Sequence, residues 1–190
     1  MSLLIVGLLL FLGLHSIAFV APGLRDRARS RFGEGVWKGL YSLVSLLGFV
    51  LICYGFGMAR HAPVILYTPP AWLRHAALVV MLPVFPLLVA AYLPGRIKTA
   101  TKHPMLAAVK IWAFAHLLAN GQLADVVLFG AFLAWAVADR ISWKHRPPQV
   151  LRNAPARRWN DALALGLGLA IYALLVGWGH LRLFGVSPVG

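Results

Sequence analysis

The chain has 190 residues, 61% of them hydrophobic and only 12% charged, with a mean hydropathy of +0.78. That balance excludes a water-soluble globular domain and points to an integral membrane protein. The formal net charge of +13 would suggest nucleic acid in a soluble domain, but here the basic residues crowd into short loops between apolar runs, which is a topology signal and sets nucleic-acid binding aside. A lone Cys53 inside an apolar run excludes an intramolecular disulfide and a cysteine-rich metal site.

A bilayer core about 30 Å thick asks for about 20 helical residues per crossing. Six stretches meet or approach that length: residues 2–20, 36–58, 71–93, 104–120, 122–139 and 160–184. The expected fold is all-α, a polytopic bundle of six transmembrane helices forming a single domain over residues 1–190. No positive charge precedes the first stretch, it is too long for the apolar core of a signal peptide, and no A-x-A site follows it, so it reads as a retained helix. The first loop then carries Arg25, Arg27, Arg29 and Arg31, with Lys38 just after. In the third stretch Pro83 and Pro86 of "MLPVFP" should kink the helix, and Arg96, Lys98 and Lys102 come after it. The fourth and fifth stretches are short and separated only by "ANGQ", which predicts a tight antiparallel hairpin turned by Gly121. Asp125 is placed to cap the first turn of the fifth helix. The fifth loop holds Arg140, Lys144, Arg146, Arg152, Arg157 and Arg158 and is broken by prolines, so an irregular segment at the membrane surface is expected. The second and fourth loops hold only Arg60 and Arg74. By the positive-inside rule the odd loops are cytoplasmic and both termini face the other side.

Ionisable groups in hydrocarbon are costly unless they face the bundle interior and find partners, which makes His15, Lys110, His116, Asp125, Asp139 and His180 the residues to explain. On the fourth helix, spacing of three and four puts Met105, Val109, Trp112, His116 and Asn120 on one stripe. His116 then has an aromatic ring below it and an amide above, and Ala113 and Ala119 on either side leave room for something flat. Lys110 lies about 120° around the helix from His116, free to snorkel to the nearby surface. With boundaries near Val20 and Leu106, His15 lies about 8 Å and His116 about 15 Å inside the membrane. Two imidazoles ligating one haem iron have nitrogens about 4 Å apart at metal-to-nitrogen distances of about 2 Å, so the depth offset suits a shared haem. It does not demand one: interhelical hydrogen bonding is the plainer account of the two histidines, and proton handling is a third.

Reflecting the hairpin about Gly121 brings Asp139 to the depth of His103, with Arg140 alongside. That pair reads either as an oriented imidazole for acid/base chemistry or as a helix-end anchor. His180 with Trp178 reads as interfacial. Gly7, Gly13, Gly166 and Gly168 permit close helix packing as readily as a cofactor. There is no phosphate loop or zinc motif, and the single glutamate, Glu34, argues against carboxylate-rich ion pathways and di-metal carboxylate sites.

The run "GRIKTATKHPMLAAVKIWAFAHLLANGQLADVVLFGAFLAWAVADRIS", together with "LHSIAF" in the first helix, resembles the NnrU family. The likeness extends over essentially the whole chain, and HPM, K-x-W-x-x-x-H-L-x-x-N-G and DR-I-S in order are specific. The resemblance implies a multi-pass protein of the bacterial inner membrane, both termini periplasmic. It would be linked to denitrification and nitric oxide metabolism, as a redox or isomerase-like enzyme on an apolar or small-gas substrate or as a maturation factor for denitrification reductases. The family is related to 15-cis-zeta-carotene isomerase, which holds haem b between an early-helix His-Ser pair and a later Ala-His segment. Those motifs fall on His15 and His116, which implies haem b between helices one and four, with Trp112 and Asn120 beside it. The isomerase has a cysteine where this chain has Ala113, so ligand exchange with that thiol is not available here; haem binding does not need it. The His-Pro motif also resembles the isoprenylcysteine carboxyl methyltransferases, which use S-adenosylmethionine, and this is the alternative reading. In those enzymes an aromatic and a glycine continue the motif and glutamates come later. "KHPMLAAV" has neither of the first two, and no glutamate lies beyond Glu34.

Overall fold

In the computed structural model, residues 1–146 and 155–189 are described. They form ten α-helices: α1 (Ser2–Val20), α2 (Pro22–Phe32), α3 (Glu34–Ala59), α4 (Ala71–Met81), α5 (Val84–Tyr92), α6 (Arg96–Thr101), α7 (Pro104–Ala119), α8 (Leu123–Ser142), α9 (Asn160–Leu174) and α10 (His180–Phe184), with a π-helical turn at Leu175–Gly179 between the last two. Among the described residues there is no strand, only an isolated bridge between Ile65 and Gln122. The fold is an all-α membrane bundle.

Four helical segments are long and apolar enough to cross a membrane: Ser2–Val20, Glu34–Ala59, Ala71–Tyr92 and Asn160–Phe184. The two further crossings expected from sequence fall short of that standard for different reasons. α7 has 16 residues, a length of about 24 Å, and α8 carries Asp125, Asp139 and Arg140. Large apolar side chains cover the outside of the helices: Leu9, Leu43 and Leu183 are 69%, 67% and 71% exposed. Such a surface is a liability in water and matches hydrocarbon.

Two expectations for the connections are corrected. The first basic loop is helical: Pro22 supplies a preset first position, and α2 runs to Gly33, whose φ of 83° ends it. None of its residues is buried. The α7–α8 link is extended at Asn120 (φ −131°, ψ 132°) and Gln122 (φ −79°, ψ 152°), and Gly121 does not take the left-handed conformation of a helix-ending glycine. In the fifth loop, Arg152 and the rest of residues 147–154 lie outside the described residues.

The chain divides into two compact units, one of Met1–Tyr67 with Gln122–Arg146, the other of Thr68–Gly121 with the C-terminal segment. In the first, α1 and α3 meet backbone to backbone. A Cβ on Gly48 would stand 2.9 Å from the Phe11 nitrogen, one on Gly7 2.6 Å from the Ile52 nitrogen, and one on Gly55 would collide with the Leu4 backbone. These contacts fix an antiparallel register, Leu4 against Gly55 and Phe11 against Gly48, and one more turn sets His15 at the level of Ser45. α8 packs on both helices. Its start is capped as expected: the Asp125 carboxylate accepts from the Gln122 N–H at 3.2 Å, and the Gln122 side chain returns a bond to the Asp125 N–H.

In the second unit the kink falls at Leu82–Pro83, where α4 stops and α5 begins. The Leu82 N–H turns to the Val79 carbonyl, which leaves the Leu78 carbonyl without its ordinary helical partner. Tyr172 of α9 donates to it at 2.8 Å. One turn away along α9, Gly168 lies so close to Pro86 that a Cβ would overlap it. At the head of α9, Asn160 donates to the carbonyls of Pro94 and Pro155, and Asp161 accepts from the Arg96 and Ile97 N–H groups at the start of α6. Asn160, Ala164, Gly168 and Tyr172, four residues apart, form the seam against α5. A core of Val84, Leu87 and Ala108 joins α5 to α7, with Trp112 packed on it.

Gly48→Ala and Gly55→Ala should each cost about 1–3 kcal/mol through overpacking, whereas Gly57→Ala, where a Cβ meets nothing within 4 Å, should be neutral or stabilising. Tyr172→Phe should cost about 1 kcal/mol for the carbonyl it orphans. Thermal unfolding of the detergent-solubilised protein checks all four.

Candidate functional site

His15 lies three-quarters of the way along α1, half-buried. Its Nδ1 is 2.7 Å from the carbonyl of Phe11, four residues back. A carbonyl only accepts, so Nδ1 is the donor, and in the neutral imidazole Nε2 is then the acceptor. Phe11 stacks on the imidazole with ring centres 4.3 Å apart, Tyr41 of α3 lies at 5.3 Å, and Trp135 of α8 stands edge-on at 6.1 Å. Beside this cage the first unit leaves hydrogen bonds unmade. Among the described residues three buried side-chain atoms have no partner: Ser45 Oγ, Trp135 Nε1 and Arg146 Nε. Buried polar atoms are nearly always paired. Trp135 borders the His15 ring, and the α1–α3 register carries Ser45 to the same level.

In the second unit, His116 repeats the arrangement. Its Nδ1 is 2.9 Å from the carbonyl of Trp112, again four residues back, and the Trp112 ring lies at 5.4 Å. Nδ1 is again the donor. Asn120 ends α7, and both its main-chain and side-chain N–H groups reach the His116 carbonyl at 2.9 Å, so the amide expected above the ring closes the helix end. Of the two alanines that flank His116, Ala113 is fully buried and Ala119 half-buried. Lys110 is half-buried on α7.

The other sequence candidates lie at or near helix ends. His103 is the N-cap of α7; its N–H donates to the Thr101 carbonyl and its own carbonyl accepts from Ala107. Asp139 is held by Arg146, with Ser142 Oγ bonded to both, and Arg140 lies in the last turn of α8, where a cation suits the helix dipole. The Arg146 guanidinium stacks 4.6 Å from the Trp143 ring centre and 5.6 Å from that of Phe19. His180, at the head of α10, sets Nδ1 2.7 Å from the Val186 carbonyl. No three His, Cys, Asp or Glu side chains among the described residues gather as a protein-only metal site would require.

The family model for NnrU protein matches residues 3–188. The chain belongs to the NnrU family. Comparison with curated proteins and with solved structures returned no match. In this NnrU protein, sequence reasoning passed over Phe11, Tyr41, Trp135 and Arg146. One signal was available: "FLGLH" and "WAFAH" each place an aromatic four residues before the histidine, the spacing at which helical side chains meet. Tyr41 and Trp135 come from other helices and carry no such mark.

Breaking a nearly buried ion pair on one side strands a charge and costs about 3–5 kcal/mol, whereas removing both partners costs far less. Asp139→Ala should therefore lower the unfolding temperature of the protein more than Asp139→Ala/Arg146→Leu does.

Proposed function

We propose that this NnrU protein binds one haem b in the bacterial inner membrane, with both termini periplasmic, that His15 and His116 would hold the group, and that the protein serves denitrification and nitric oxide metabolism. The observation that supports this is the shared pose of the two histidines. Each ring gives its Nδ1 hydrogen to a carbonyl one turn back and leans on an aromatic from the same turn. In the neutral imidazole Nε2 is then the nitrogen with the lone pair, the state in which an imidazole ligates a metal. The porphyrin would itself provide four of the iron's six ligands, so the chain need supply only two. The residues present therefore fit the group.

When bound, haem would supply a one-electron couple. The chain's own contributions are separate. The Phe11 and Trp112 carbonyls hold each imidazole in its ligating tautomer, and their hydrogen bonds raise its basicity. The apolar side chains and the Phe11, Tyr41 and Trp135 rings keep water from His15, and low polarity around a haem tunes its potential. His180 shares the tautomer, but its carbonyl partner lies six residues ahead, in the segment that comes after α10. It is the internal control.

Protein expressed with ample haem should show a Soret band that shifts on reduction. His15→Ala and His116→Ala should each lose it, and His180→Ala should keep it. Absence of the band from wild type, or its survival in both ligand variants, sinks the assignment. In a deletion strain, nitrite or nitric oxide reductase activity should fall; unchanged activity removes the link to denitrification.

A further inference from the structure

A second feature of the first unit adjoins the His15 cage and shares Trp135 with it. Between α1 and α8 runs an open groove of about 540 Å³, within the usual range of about 300–1,000 Å³ for ligand pockets. Its walls are almost wholly apolar, and small residues hollow it out: Gly13 on one side, Ala131, Ala134 and Ala138 on the other. A Cβ on Gly13 would meet nothing within 4 Å. From Ile5 to Phe19 it runs along about 21 Å of helix, more than the roughly 15 Å that one leaflet contributes to the hydrocarbon core.

The groove has one polar end. Phe19 closes it there and carries the Arg146 guanidinium on its ring. The Arg146 side chain is only 14% exposed. Its Nη2 makes the bonds to Asp139 and Ser142, while Nε has no partner. At the same end, α2 starts two residues after α1 and presents Arg25, Arg27, Arg29 and Arg31, with Asp26 as its one carboxylate. An apolar channel as long as a lipid tail therefore ends at a guanidinium with hydrogens to spare, inside a field of excess positive charge.

We propose that this groove is a site for one anionic phospholipid, its acyl chain lying along α1 and α8 and its phosphate accepting from Arg146. A neutral lipid-soluble ring would fill the channel and leave the Arg146 Nε hydrogen without an acceptor. A phosphodiester uses both ends, and basic pockets between membrane helices take such headgroups.

Native mass spectrometry of the full chain in micelles doped with phosphatidylglycerol or phosphatidylcholine of identical acyl chains tests this. Wild type should retain one phosphatidylglycerol, with a preference of about tenfold over phosphatidylcholine. Arg146→Gln should abolish the preference. If that variant fails to fold because Asp139 is stranded, Asp139→Asn/Arg146→Gln carries the same expectation. Gly13→Leu/Ala134→Phe should expel both lipids while helix content and lipid-free unfolding temperature stay unchanged. Equal binding of the two lipids by wild type, a preference that survives loss of Arg146, or lipid still held by the filled groove overturns the proposal. So does a coloured ligand lost from wild type on filling the groove. Haem content measured on the same samples reports on His15 and His116 separately.

Discussion

The approach of α1 to α3 through Gly7, Gly48 and Gly55 is the contact on which the first unit rests. Lipid tails are as apolar as leucine, so two membrane helices gain nothing by hiding leucines from them; they gain by packing closely. Here three missing Cβ atoms let backbone touch backbone. The same contact fixes which residues face each other further along. His15 meets Tyr41 and comes level with Ser45 because Leu4 sits on Gly55 and Phe11 on Gly48. The imidazole's surroundings are thus a product of glycines a turn or more away that never touch it.

The second unit solves a different problem. A proline in a membrane helix frees carbonyls where no water can reach them, so protein must supply the partner. α9 does so with Tyr172, and Gly168 admits it close enough to the kinked chain to succeed. Asn160 and Asp161 do the same for the α5–α6 junction. A single stripe at four-residue spacing therefore carries hydroxyl, glycine, alanine and amide, each matched to what the opposing backbone lacks at that level.

Much of this architecture could be read from the sequence, because apolar length and proline placement act locally. α1 begins and ends at the expected residues, α7 to within one, and the helix breaks at Pro83. Asp125 caps as its position suggested. What escaped were contacts across sequence: Asp161 with residues 64 and 65 positions earlier, Trp135 with His15, Arg146 with Phe19. α2 escaped for another reason. Its arginines looked like a loop because charge was read as topology, yet arginine and alanine are good helix formers and nothing before Gly33 stops them. The histidines themselves stood out as costly groups in lipid, but the fixed tautomer of each depends on a carbonyl whose availability only the folded chain reveals.

The self-contained start of α8 has a consequence for depth. The Gln122 and Asp125 N–H groups are satisfied by each other's side chains, and the Leu123 N–H by the Val64 carbonyl. With three of its four opening donors occupied, the helix has little need of aqueous solvent at its tip. α8 can begin below the headgroups, which lets the preceding segment of only 16 residues end inside the bilayer without stranding the connection in hydrocarbon.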